Sequence, residues 1–334
     1  SHSHTSHSHT SHSQLKSYSY IFRGEGSNMT WELEGATILE VVPPTLSSGD
    51  EGLQKRLRRV ERLLASNAFD AINIPEIHDE DSRDSRGVRT RGFSSRLDGR
   101  ILARHIRQQF QLPVIINHVV AHDPLEHQLN WLNETVGDYD IRDIVLVGAP
   151  HDRFAWPGPS VSEANQAFKS QMASSGIRIG NICIPERPGS PIPETERMAA
   201  KVSAGADFFT TQIVFSPHEI TQLWKSMSKD QPELLSTPLL ISLCPVKKAS
   251  NLAFLRYLGV QVPDIVETVL SEVPHGDCLD RSLEILCSLQ DDLIQHTSGI
   301  PNLAIPGWNI APVGSIPSSA VLDLMERLPS SVST

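Results

Sequence analysis

Several things are scarce in this 334-residue chain, and each scarcity excludes something. There are four cysteines, Cys183, Cys244, Cys278 and Cys287, and no CxxC pair. A disulfide framework and a cysteine-based zinc site are thereby excluded, and a reducing, cytoplasmic setting is expected. No apolar run approaches the ~18 residues of a membrane span. Positive charge is in deficit, 29 Lys and Arg against 39 Asp and Glu, for a net charge of −10. That argues against nucleic acid or an anionic membrane surface as the partner. There is no GxGxxG turn after the first strand-like run, no phosphate-binding Walker loop and no nucleophile elbow. Chemistry on a bound cosubstrate is therefore favoured over covalent catalysis.

What is present suffices for a large core: 39% of the residues are hydrophobic. At roughly 150 residues per domain the length allows two domains or one large barrel. Residues 1–13, SHSHTSHSHTSHS, hold five of the fourteen histidines and nothing apolar, so they read as a tag or a metal-binding tail. Residues 1–28 are set aside as disordered tag or tail, 29–329 are assigned to the folded domain, and 330–334 to a frayed tail.

Short β-rich apolar runs recur at Ala36–Val42, Asp70–Ile74, Pro113–Val119, Asp143–Gly148, Ile177–Ile184, Ala206–Phe215, Pro238–Leu243 and Asn302–Ile305. Several are apolar on successive residues, as in Ile144–Val147, the mark of parallel strands buried on both faces. Helical spacing lies between them: Leu53, Leu57, Val60 and Leu64, then Leu125, Leu129 and Leu132. Further helices are expected at Pro193–Ala204, Pro217–Met227, Ala249–Leu258, Leu279–His296 and Pro317–Leu328. Eight βα units in about 300 residues predict a single (β/α)₈ TIM barrel. An open doubly wound sheet is the alternative, weakened by the missing glycine fingerprint.

In such a barrel the chemistry sits at the C-terminal strand ends. The first run ends in Glu40, followed by Val41, Val42, Pro43 and Pro44. A carboxyl set among apolar neighbours resists ionisation, so it can hold a proton near neutral pH and act as a general acid. The alternative is a solvated or salt-bridged strand-end glutamate. The second run is followed by Pro75, Glu76, Ile77 and His78. The third carries His118, with His122 and Asp123 beyond it. These could be metal ligands, but the HxH pattern of a barrel hydrolase is missing after the first strand and no further ligand is evident, so loop histidines or a cofactor contact fit better and no metal is expected. The sixth ends near Gln212, whose amide both donates and accepts and so suits the edge of a heterocycle; capping a barrel layer is its other reading.

These residues resemble a known family. Ile38–Pro44 (ILEVVPP) is similar to the EFFPP signature of methylenetetrahydrofolate reductases, and Lys201–Gln212 (KVSAGADFFTTQ) closely resembles their KVDAGADFxITQ segment. Asn181–Pro191, Leu239–Val246 and Tyr257–Val266 follow the family's later motifs in order. The resemblance implies a TIM barrel that reduces 5,10-methylenetetrahydrofolate to the 5-methyl compound with NAD(P)H, through FAD in most members. It implies Glu40 as the acid that protonates N10, and Gln212, Glu76 and Asn309 as substrate contacts. It also implies His118, Gly148, Glu194 and Lys201 as cofactor contacts.

The departures concentrate on the flavin. The family's LRGD reads Leu146, Val147, Gly148, Ala149 here, so both charges are gone. Pro75 replaces a threonine, Ile184 and Pro188 replace a tyrosine and a histidine, and Ile310 replaces an arginine after the retained Asn309. Each lost charged hydrogen bond costs about 1.5–3 kcal/mol of cofactor binding. Two alternatives follow: FAD held by other contacts, or direct hydride transfer from nicotinamide, as in flavin-independent relatives. Other readings of the same barrel are a different one-carbon folate enzyme, for instance in a demethylation pathway, and a non-catalytic folate-binding or regulatory subunit. A homo-oligomer is compatible with the sequence, because outer helix faces are amphipathic either way.

Overall fold

The computed structural model describes residues 31–64, 69–79, 83, 86–89, 92–185, 187, 190–312 and 316–327. The tag assigned to 1–28, the tail at 330–334 and Pro188 lie outside the described residues. Residues Glu32–Thr334 form one compact unit.

Its elements alternate as β1 (Thr37–Glu40), α1 (Gly49–Leu64), β2 (Ala71–Ile74), α2 (Gly99–Phe110), β3 (Val114–Val119), α3 (Leu125–Gly137), β4 (Asp143–Val147), α4 (Val161–Gln171), β5 (Arg178–Cys183), α5 (Glu194–Ser203), β6 (Phe208–Thr211), α6 (Pro217–Asp230), β7 (Leu239–Leu243), α7 (Asn251–Tyr257), α8 (Asp264–Glu272), α9 (Cys278–Thr297), β8 (Gly307–Ile310) and α10 (Ser318–Arg327). All eight strands pair in parallel, and β8 closes on β1, making the (β/α)₈ barrel.

The local causes are visible. Helix α1 buries Leu53, Leu57, Val60 and Leu63 along one stripe and places Asp50 and Glu51 in its first turn, where carboxylates suit the helix dipole. A capping box of Ser160 and Glu163 starts α4. Ser216 caps α6, with Pro217 in the first turn.

The eighth strand lies elsewhere than expected. Asn302–Ile305 does not pair; Asn302 adopts a left-handed turn conformation (φ 63°), and the strand is Gly307–Ile310. Trp308 and Ile310 pack outward into the main core, while Asn309, a polar residue, disguises the strand in sequence. The eight βα units imply helices after β2 and β4, but no helical range was assigned in sequence to α2, α4 or the extra helix α8; α4 carries only Ala164 and Phe168 as buried apolar residues.

Strand parity separates two environments. Register partners in a parallel sheet share a face. Phe208 fills the barrel axis opposite Gly180, where an added Cβ would lie 2.4 Å from the Phe208 ring. Gly180→Ala is therefore expected to cost about 1–3 kcal/mol by overpacking, read as a lowered denaturant midpoint with unchanged slope.

Candidate active site

The parity that places Phe208 and Gly180 inside also sends Glu40, Asn73, Asn117, Ser242 and Asn309 into the lumen, since Glu40 registers with Asn73 and Ser242 with Asn309. They form a polar layer toward the C-terminal end of the barrel. Asn73 Nδ2 donates to Glu40 Oε1 at 3.1 Å, and Asn309 Nδ2 donates to Ser242 Oγ at 3.1 Å. Burial raises the Glu40 pKa to about 7; hydrogen bonds from Asn73 and Asn309 oppose that rise and do not cancel it. At neutral pH this carboxyl is divided between acid and anion, as a proton donor requires.

Two acceptors in this layer are left over. The Oδ1 atoms of Asn309 and Asn117 are buried and have no hydrogen-bond partner. Buried acceptors are normally satisfied. Asn309 bonds Glu40, so a ligand presenting an N–H beside Glu40 would satisfy the first, and one reaching across the lumen to β3 the second.

Glu76, after β2, belongs to a second cluster. It bonds His118 Nδ1 at 2.7 Å and His78 Nε2 at 2.5 Å, and it accepts from the Val119 N–H at 3.3 Å. Burial works against its ionisation, but the bonds and charges of His118 and His78 outweigh it and hold its pKa at about 2. His118 lies on the opposite strand face from Asn117, pointing at α3. Its Nε2 meets Gln128 Oε1 at 2.5 Å, and its ring stacks on Trp131 with centroids 3.7 Å apart. Gln128 Nε2 donates to the Val120 and Asp123 carbonyls, which fixes Gln128 Oε1 as the acceptor. Both His118 nitrogens thus face acceptors.

The remaining sequence candidates are spread around the rim. Gln212, half-buried after β6, donates to the Leu258 carbonyl at 3.2 Å and so ties β6 to the turn after α7. Gly148 follows β4, and a Cβ there would stand 3.0 Å from Val161. Glu194 starts α5, accepts from the Ile184 N–H at 3.0 Å and pairs with Arg187 at 2.8 Å. Lys201 donates to the Ile182 carbonyl at 3.1 Å; burial lowers its pKa, against the pull of Glu194.

Thus Glu40 and Asn309 converge, Glu76 and His118 converge, and Glu194 and Lys201 share the β5–α5 junction. The charged groups that the resemblance places near a flavin are turned into the strand–helix layer, with their polar atoms engaged by protein partners. At β4 the lumen receives Val147. This set does not fit a flavin. Among the described residues no group of three or more His, Cys, Asp or Glu side chains gathers for a metal ion.

Sequence reasoning missed Asn73 and Ser242, and noted Asn117 only as a polar residue at the end of the third strand, without a role. The available signal was an amide or hydroxyl inside an otherwise apolar strand, at a position matching Glu40 in parity.

Residues 183–308 match the family model described as methylenetetrahydrofolate reductase, which bears out the resemblance over that segment. A solved structure described as an uncharacterized protein from Clostridium thermocellum that binds two copies of 5-methyl-5,6,7,8-tetrahydrofolic acid matches with a TM-score of 0.68 at 19% identity, over 87% of this chain and 94% of that one. At that identity the likeness is one of fold. No curated protein matches the chain in sequence. Among the described residues no helix is long and apolar enough to cross a membrane.

Proposed function

We propose that this methylenetetrahydrofolate reductase-like barrel reduces 5,10-methylenetetrahydrofolate to 5-methyltetrahydrofolate, taking hydride directly from NAD(P)H. The observation that carries the reading is Glu40: a lumen carboxyl with its pKa near 7, beside buried amide oxygens that lack donors. A pterin ring offers N–H donors to such oxygens, and N10, an anilino nitrogen outside that ring, takes the proton as its bond to the methylene carbon breaks.

The Glu40 acid gives its proton to N10, and the bond between N10 and the methylene carbon breaks. The exposed electrophilic carbon, still on N5, accepts hydride from C4 of the dihydronicotinamide. NAD(P)⁺, 5-methyltetrahydrofolate and the Glu40 carboxylate remain, and solvent returns the proton. Both substrates must be present together, so the protein's contribution is proximity as well as acidity. Gln212 and Asn309 are the proposed pterin contacts.

The second reading, another folate enzyme on the same scaffold, draws on the same lumen layer and on Ile310 in place of the family's arginine. One experiment separates them. The absorption spectrum of the purified protein is recorded, the protein is mixed with NADH or NADPH and methylenetetrahydrofolate, and absorbance at the nicotinamide band and the folate products are followed. Loss of NAD(P)H matched by 5-methyltetrahydrofolate supports the reduction. A stoichiometric flavin spectrum overturns the direct route, and folate binding without NAD(P)H oxidation favours the second reading.

A further inference from the structure

This acidic chain generally pairs its buried and half-buried arginines with carboxylates. Arg100 meets Asp98, Arg178 meets Asp143, Arg187 meets Glu194 and Arg256 meets Glu267. Three arginines beside β1 break the pattern. Arg56 Nε donates to the Val42 carbonyl at 2.9 Å, and Arg96 Nη1 donates to the next carbonyl, Pro43, at 3.1 Å. Arg59 Nη2 donates to the Ile316 carbonyl at 2.9 Å, in the connection that follows β8. None of the three has a carboxylate partner among the described residues. Arg96 Nε is buried without any hydrogen-bond partner.

The grouping is costly as it stands. Burial, followed by repulsion from neighbouring arginines, lowers the pKa of each: Arg56 feels Arg96 and Arg59, Arg59 feels Arg62, and Arg96 feels Arg89. A guanidinium carries five N–H donors, and each of these three gives one to the main chain. Excess donors, excess charge and a buried orphan N–H together describe an anion receptor. Its location is specific. Val42 and Pro43 directly follow the strand that ends in Glu40, and Ile316 follows the strand that carries Asn309. The arginines therefore flank the β1–β8 sector of the barrel mouth, where the proposed acid sits. Arg56 and Arg59 lie on α1, whose side chains tilt toward its N-terminus and so toward that mouth.

We infer that Arg56, Arg59 and Arg96 form a subsite for a multiply charged anion, paired carboxylates or a phosphate, carried on a molecule whose other end reaches Glu40. The identity of that molecule rests on the proposed function; the existence of the subsite does not. On that function the anion is either the glutamyl carboxylates of the folate or the phosphates of the dinucleotide.

The test is calorimetric titration of the full chain with free triglutamate and, separately, with inorganic pyrophosphate, in low and in moderate salt. Saturable, salt-sensitive binding of at least one is expected, weakened tenfold or more in an Arg56→Gln, Arg96→Gln double variant. Binding of triglutamate alone assigns the folate tail, and binding of pyrophosphate alone assigns the dinucleotide. Binding of both establishes the subsite, and the variant's KM for triglutamyl folate against that for NADPH then names the source. Absence of binding by either anion, or unchanged affinity in the variant, overturns the proposal. The variant's circular dichroism melt is the folding control. If it fails to fold, the Arg56→Lys, Arg96→Lys pair replaces it, with a threefold or larger loss in support and unchanged affinity against. Anion binding by a protein that turns over no folate would retire the proposed function and leave the subsite standing.

Discussion

Replacing Glu40 by glutamine is expected to lower kcat by about 10²–10⁴-fold, the range that a positioned general acid supplies, with little change in the affinity for folate. The two side chains have nearly the same shape. The glutamine carbonyl can still accept from Asn73 Nδ2, which now stands 3.1 Å from Glu40 Oε1. Only the transferable proton is lost. Because the ring must open in the transition state and not in the ground state, the loss falls on kcat and on kcat/KM alike. The pH profile carries a second signature. With a pKa near 7, Glu40 is protonated below neutrality and ionised above it, so wild-type turnover should fall as pH rises through 7. The residual rate of Glu40→Gln should lack that limb. Pre-steady-state and steady-state NAD(P)H oxidation between pH 5.5 and 8.5 measures both signatures. Wild-type rates in the variant, or an unchanged alkaline limb, would remove Glu40 from the mechanism.

Glu40 was legible in the sequence because a lone carboxyl among Ile38, Leu39, Val41 and Val42 at a strand end stands out, although position alone left a solvated glutamate open. Its partners were not, because Asn73 and Ser242 gain meaning only when register brings them level with Glu40 and Asn309. The same blindness to parity applies to His118. One residue separates it from Asn117, and that single step decides between the lumen and the α3 layer, where it stacks on Trp131. The barrel itself was readable because buried parallel strands recur eight times, with amphipathic helices between most of them. The exceptions follow from local rules: β8 holds a lumen-facing polar residue at Asn309, and α4 spends core positions on Asn165, which bonds Asn181 across the strand–helix layer. The three arginines were invisible for another reason. They are scattered across positions 56 to 96 among many exposed charges, and only their shared main-chain acceptors around Val42, Pro43 and Ile316 gather them.

The two site carboxylates should pull the stability of the protein in opposite directions with pH, and each variant should erase one limb. Glu40 has a folded pKa of about 7 against 4.5 in the unfolded chain. Between those values the folded state binds more protons, so stability falls as pH rises; the cost is absent below 4.5 and complete above 7. A displacement of that size corresponds to about 3 kcal/mol. Glu76 has a folded pKa of about 2. Its contribution is complete above 4.5 and is lost as pH falls toward 2, and for a side chain 28% exposed about 2–3 kcal/mol is reasonable after solvent screening. Urea unfolding from pH 3 to pH 8 should therefore show wild-type stability declining on both sides of about pH 4.5 from these groups. Glu40→Gln should flatten the side above 4.5, gaining about 3 kcal/mol over wild type at pH 8 relative to the same comparison at pH 4. Glu76→Gln should flatten the acid side instead. It should also lose stability at neutral pH, because His118 and His78 would then face an amide in place of a carboxylate. Parallel curves for wild type and Glu40→Gln above pH 4.5 would mean that the carboxyl is better solvated than its place in the lumen implies, and the case for it as a proton donor at neutral pH would fall with that result.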